Sequence, residues 1–186
     1  MRHLGTPVYL RGGARYAMTV HSVSIEWHRD GGNFIENRYS RAHVWRFDGG
    51  LTVPASSSPH VVRIPLSNPA NVDPEEAFIA ALASCHMLWF LSIAAAKGYV
   101  VERYTDAAEG FMTSNADGKL WVSRVALHPD VLFSGTKAPT EGDVRALHHS
   151  AHAECYLANS VRTAVATEGS WQFRASEAAN PGGDPE

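Results

Sequence analysis

The 186-residue chain predicts an α+β domain built from strands, a long helix, a hairpin, a second helix and a last strand. Three observations carry this. Residues 77–96 form an apolar run directly after a strong helix start. Segments of alternating apolar residues precede that run, with turn residues between them. Beyond it, two strand-like segments flank a tight turn, and a second helical segment leads into a final strand. The composition is 45% hydrophobic and 19% charged, which excludes a disordered or collagen-like chain. A net charge of −3 without a basic stripe argues against nucleic acid or an anionic membrane as a partner. Two cysteines are too few for a secreted disulfide framework and fit a cytoplasmic protein.

The elements follow in order. Residues 1–17 show no period, are interrupted by Gly12-Gly13 and lack the apolar core of a signal peptide. They are expected to be a dispensable extension of a domain spanning 18–173. Val23, Ile25 and Trp27 alternate and predict a strand over 19–27, turned by Asp30-Gly31-Gly32-Asn33. Further strands are expected at 39–47, from 51 to 53, and at 61–64. Asp73 is suited to cap a helix, Pro74 fits its first position, and Glu76 stands three residues after the cap. That helix should reach Lys97-Gly98. It is long enough to span a bilayer. It is also what the buried centre of a soluble fold looks like, and the surrounding strands could cover it. Strands at 99–113 and 119–133 form a hairpin about Asn115-Ala116-Asp117-Gly118. A second helix is expected at 141–157, a last strand at 161–173, and a disordered tail at 174–186.

Chemistry centres on the cysteines. Cys85 lies mid-helix, twelve residues past the cap, where the helix dipole gives no activation. A reactive thiolate there needs a nearby cation. Cys155 closes the second helix in His148-His149-Ser150-Ala151-His152-Ala153-Glu154-Cys155. Taken alone, either cysteine could be a small buried hydrophobe.

The segment Asp73-Pro74-Glu75-Glu76-Ala77-Phe78-Ile79-Ala80-Ala81-Leu82-Ala83-Ser84-Cys85-His86-Met87 resembles the signature of the OsmC/Ohr family of thiol peroxidases. Ala153-Glu154-Cys155-Tyr156-Leu157 through Val161 resembles its second mark, a late cysteine followed by a strand. The resemblance covers about residues 38–173. It implies an OsmC-like fold, with antiparallel sheets around a long central helix, in an intertwined homodimer. It implies reduction of organic hydroperoxides without a cofactor, an external dithiol acting as reductant. Cys85 would be peroxidatic, Cys155 resolving, and Glu75 the carboxylate that holds an activating arginine.

Which arginine stays open. Arg63, ten residues before Asp73, matches the OsmC branch best. Arg41 and Arg46 are the other candidates, Arg46 being one place off the Ohr position beside Asp48-Gly49. His86 and Tyr156 depart from the family pattern and point to a side branch. Glu75 and Cys85, ten residues apart on one helix, are separated by about 15 Å. A site using both must draw Glu75 from a second subunit. Two rival readings remain. One is a non-enzymatic binding or structural protein with an inert thiol. The other is a metal protein using His149, His152 and Cys155 with His86 or Glu154. The usual metal-ligand spacings are absent. Trp45, Trp89 and Phe90 read as core or interface aromatics.

Overall fold

The computed structural model describes residues 19–175. The expected extension at 1–17 and residues 176–186 of the expected tail lie outside them. The α+β expectation holds. An N-terminal sheet contains β1 (Val23–Glu26), β2 (His43–Phe47) and β3 (Thr52–Ala55), antiparallel and in that order. Its register sets Ile25 opposite Trp45, and Trp45 opposite Val53. The strand expected at 61–64 is instead a turn. The Val61 and Val62 amides both donate to the Ser58 carbonyl, at 3.0 and 2.9 Å, which curls the chain before it can extend. Pro65 then brings no N–H to a ladder.

Helix α1 (Pro74–Ala96) starts as the sequence dictates. Asp73 Oδ1 accepts from the Glu76 amide at 2.8 Å, and Glu76 Oε2 accepts from the Asp73 amide at 3.3 Å. At the other end Gly98 takes φ +78°, open to glycine without penalty. Lys137 Nζ donates to the Lys97 carbonyl at 2.6 Å, a cation at the negative end of the helix. Leu82, His86, Phe90 and Ala94, four residues apart, form the buried stripe. The helix is long and apolar enough to cross a membrane by composition. Here that stripe packs on protein.

The three long strands expected after α1 each break in two. They become β4 (Val100–Asp106) and β5 (Glu109–Ser114), β6 (Leu120–Leu127) and β7 (Pro129–Gly135), then β8 (Ala164–Thr167) and β9 (Ser170–Ala175). The breaks align, so the six strands sort into two sheets, β4-β7-β9 and β5-β6-β8. Asp106 stitches the corner by accepting from the His128 amide at 2.7 Å, and the Glu168 amide donates to the Leu127 carbonyl at 2.8 Å. Burial raises the Asp106 carboxyl, partly offset by that hydrogen bond. The expected antiparallel pairing holds for β4 with β7 and for β5 with β6. β8 and β9 add in parallel to β6 and β7, because the chain returns through helix α2 (Glu141–Glu154), a crossover rather than a hairpin. Strand β9 also runs two residues into the expected tail, pairing Arg174 with Ser134 and Ala175 with Gly135.

Helix α1 lies against both of these sheets. Phe90 and Ala94 pack with Val131, Phe133, Val144 and Leu147, while Leu82 packs with Val125 and Leu127. The corner is tight. A Cβ on Gly169 would stand 2.6 Å from both the Pro129 ring and the Pro129 carbonyl oxygen. Gly169→Ala should therefore lower stability by about 2 kcal/mol through overpacking against backbone. A thermal melt should show a fall of roughly 4–8 °C for a chain of this size, and an unshifted melt would show that the corner can relax.

Candidate active site at the helix crossing

Helix α2 crosses α1 within two turns of it, at residues 85–90. On one flank, His148 packs its ring on Phe90, centroids 4.4 Å apart, and stacks on His86 at 5.4 Å and 8°. On the other flank, Trp89 meets Tyr156 edge-on at 5.5 Å. The same flank brings Cys85 to Cys155. Seventy residues of sequence are closed there, and the two predicted thiols face one another, both free.

Cys155 is buried and Cys85 half-buried. Burial raises the Cys155 thiol above its ordinary value, and the adjacent Cys85 raises it further. The Ala158 amide, 3.4 Å from Cys155 Sγ, works the other way. This contact exists because α2 stops at Glu154, three residues earlier than expected. Cys155 leaves the helix with ψ 112°, and the chain tightens into a 3-10 turn at Ala158–Ser160. Asn159 and Ser160 cap this exit. Asn159 Nδ2 donates to the Ala153 and Cys155 carbonyls at 2.8 and 3.0 Å, and Ser160 Oγ to the Tyr156 carbonyl at 2.7 Å.

Among the described residues no three His, Cys, Asp or Glu side chains converge to hold an ion. His149, His152 and Cys155 drift around the helix, and His149 and His152 are exposed. The histidine that matters is His148, which the sequence reading did not single out. Its ring nitrogen Nδ1 lies 3.1 Å from His86 Nε2. The signal was available, since 148, 152 and 155 share a face of α2. Only the fold shows that this face meets α1 at Cys85, His86 and Phe90.

The arginines lie elsewhere. Arg63 is exposed on the loop before α1, not on a strand. Arg46 is on the surface of the first sheet, its Nε donating to Glu26 at 3.0 Å. Arg41 is half-buried and firmly held. It donates to the Asn37 side chain at 2.6 Å, to the Asn37 and Tyr39 carbonyls, and lies 3.8 Å over the Tyr39 ring. Trp45 Nε1 donates to His43 Nε2 at 2.9 Å, so His43 Nδ1 is the donor to the Arg41 carbonyl at 2.8 Å. Arg41 and His43 edge a concavity of about 450 Å³ walled by Ile25, Trp27, Phe34 and Tyr39, with Pro74 at one side. The sequence did not indicate this pocket, because its aromatics come from separate turns. Glu75, half-buried in the first turn of α1, is beside Pro74 and ten residues from Cys85.

Burial also sets the charge state of the crossing. His86 is pushed down to about 4 by burial and by the neighbouring imidazoles of His148 and His152. His148 is pushed down to about 4 by burial. In the unfolded chain both take a proton near 6.5, so the unfolded state binds more protons between about pH 4 and 6.5. Stability contributed by the neutral pair is complete above pH 6.5 and is lost as pH falls toward 4. Urea midpoints measured across this range should decline on acidification, and His148→Phe should flatten the decline. An equally steep decline in that variant would place the acid sensitivity elsewhere.

The model of the OsmC-like protein family matches residues 67–169. No curated protein matches the chain. An OsmC-like protein of unknown function from Vibrio cholerae is 56% identical, with a TM-score of 0.79 over 82% of this chain and 99% of its own. An OsmC-like protein from Mycoplasma pneumoniae shares the fold at 13% identity, with a TM-score of 0.62 over 82% and 97%. An organic hydroperoxide resistance protein from Elizabethkingia anophelis does so at 16%, with a TM-score of 0.58 over 84% and 99%. With the helix start, the central helix and the facing thiols in place, the chain belongs to the OsmC-like family.

Proposed function

We propose that this protein is a thiol-dependent peroxidase that reduces organic hydroperoxides. The observation that carries the reading is the meeting of Cys85 and Cys155 across the α1–α2 crossing. A Cys85 thiolate attacks the terminal oxygen of the hydroperoxide. The O–O bond breaks, the alkoxide takes a proton and leaves as an alcohol, and Cys85 becomes a sulfenic acid. The Cys155 thiolate attacks that sulfur, the S–O bond breaks and hydroxide leaves, taking a proton from solvent to become water, which gives a disulfide. An external dithiol in the cytoplasm returns both thiols by exchange.

The site is shared between two copies of the chain. Glu75 and the pocket beside Arg41 belong to the start of α1, about 15 Å along the helix from Cys85. Antiparallel pairing of two α1 helices brings the start of one to the middle of the other. Two features support that homodimer. Ala81, Ser84, Leu88 and Ala95 leave one face of α1 exposed, Leu88 by 60%. The N-terminal sheet leaves Val23, Ile25 and Phe47 uncovered in the single chain. In the dimer the apolar pocket takes the alkyl part of the substrate, and a guanidinium held by Glu75 stabilises the thiolate. Arg41 is the best placed of the three candidates, because it is already fixed and lines the pocket with Pro74, the residue before Glu75.

Cys85→Ser should abolish consumption of cumene hydroperoxide. Cys155→Ser should allow one turnover and leave a sulfenic acid that trapping reagents detect and excess peroxide over-oxidises. Sustained turnover by Cys85→Ser would sink the reading in favour of an inert thiol. Arg41→Met should slow alkylation of Cys85 at pH 7 at least tenfold, the effect of about 1.4 kcal/mol of lost thiolate stabilisation. Arg63→Met should leave it unchanged. The reverse pattern would move the role to Arg63.

A further inference from the structure

We propose that the buried His86–His148 hydrogen bond is a positioning device for the thiol pair, fixing α2 on α1 at the angle that lets Cys85 and Cys155 close a disulfide. The inference rests on the reading that these two cysteines are a redox pair. His86 is 1% exposed and its Nδ1 has no partner. Its Nε2 meets His148 Nδ1 at 3.1 Å. A buried N–H left unpaired costs more than a spare lone pair, so the proton belongs on His86 Nε2, with His148 Nδ1 accepting. Among the described residues this is the single polar contact that His86 makes, and it bridges the two helices. Phe90, Leu147 and Ala151, in the core that the two helices share, are apolar and without direction.

Geometry links the bond to the thiols. On α1 the two contacts start from adjacent residues, Cys85 and His86, while on α2 they are seven residues apart, about 10 Å. The histidine contact is thus the pivot and the segment to Cys155 the arm. A disulfide needs its Cβ atoms about 3.5–4.5 Å apart with a defined dihedral, a tolerance that a small rotation over such an arm would exceed. The step affected is the attack of Cys155 sulfur on the Cys85 sulfenic acid formed by an organic hydroperoxide, in which water leaves and the S–S bond forms. His86 and His148 touch no reacting atom in it. They set where the sulfurs stand.

The test is the thiol–disulfide equilibrium of the full chain in glutathione buffers at pH 7.5, for wild type and three variants. His148→Phe keeps a ring on His86 and Phe90 but removes the acceptor. It should make the disulfide at least tenfold less favoured, about 30 mV in potential for a two-electron couple. His148→Asn carries an amide oxygen near the place of Nδ1, and should stay within threefold of wild type. His148→Gln carries its amide further out, at the place of the other ring nitrogen, and should resemble His148→Phe; it serves if the phenylalanine variant does not fold. An equilibrium unchanged in His148→Phe or His148→Gln would overturn the positioning role. Failure of the wild type to form the Cys85–Cys155 disulfide at all would instead overturn the peroxidase reading on which the inference rests.

Discussion

The structure depends on one crossing of two helices. At residues 85–90 of α1, the end of α2 is held on one side by His148 against His86 and Phe90, and on the other by Tyr156 against Trp89. The same turns of α1 bury Leu82 and Phe90 against the two sheets behind it. Interiors pack at crystal-like density, so a helix wedged from several sides has little freedom to slide or turn. The thiol pair inherits that rigidity. Cys85 and Cys155 meet because the crossing is fixed, and not through any preference of the cysteines.

What fixes the crossing from behind is the corner at which three long strands break together. Asp106, His128 and Glu168 carry hydrogen bonds through it, and Gly169 permits Pro129 to approach where no side chain fits. Each half-strand serves a different part of α1. Strands β4, β7 and β9 support its C-terminal half around Phe90 and Ala94, while β5, β6 and β8 support its N-terminal half around Leu82. At Gly110 a side chain would collide with Ile79, so α1 sits directly on the β5 backbone. The two halves of the helix are clamped separately, and Cys85 falls between them.

The parts of this arrangement written in local chemistry were legible. Asp73, Pro74 and Glu76 specify where α1 begins, because a capping box is a matter of four consecutive residues. The turn at Asn115–Gly118 is local in the same way. The strand breaks were not legible, since the corner is set by Gly169 meeting Pro129, forty residues away, and nothing near Asp106 announces a bend. The turn at 61–64 was misread as a strand for the opposite reason. Its valines favour extension, but the Ser58 carbonyl captures two amides first. At the site, the cysteines were found by their helical context. His148 was passed over because a helix face acquires meaning only when its partner is known.

Burial at the crossing drives Cys155, His86 and His148 the same way, toward their uncharged forms. It raises the Cys155 thiol, lowers both imidazoles, and raises Tyr104, which packs on Phe90 from β4. The residues that make the crossing, Cys85, His86, Trp89, Phe90, His148, Cys155 and Tyr156, include no arginine or lysine. A crossing of this kind is well suited to hold two sulfurs in register and to hold a disulfide once formed. It is poorly suited to make a nucleophile, because an anion in an apolar setting without a cation is disfavoured. Positioning and activation are therefore separable tasks in this fold. The crossing performs the first. On the proposed peroxidase reading the second comes from a cation outside it, and Arg41 is held on Asn37 and Tyr39 beside an apolar pocket. A guanidinium fixed in this way loses little freedom when it meets a thiolate, so most of its charge–charge attraction remains available to favour the anion.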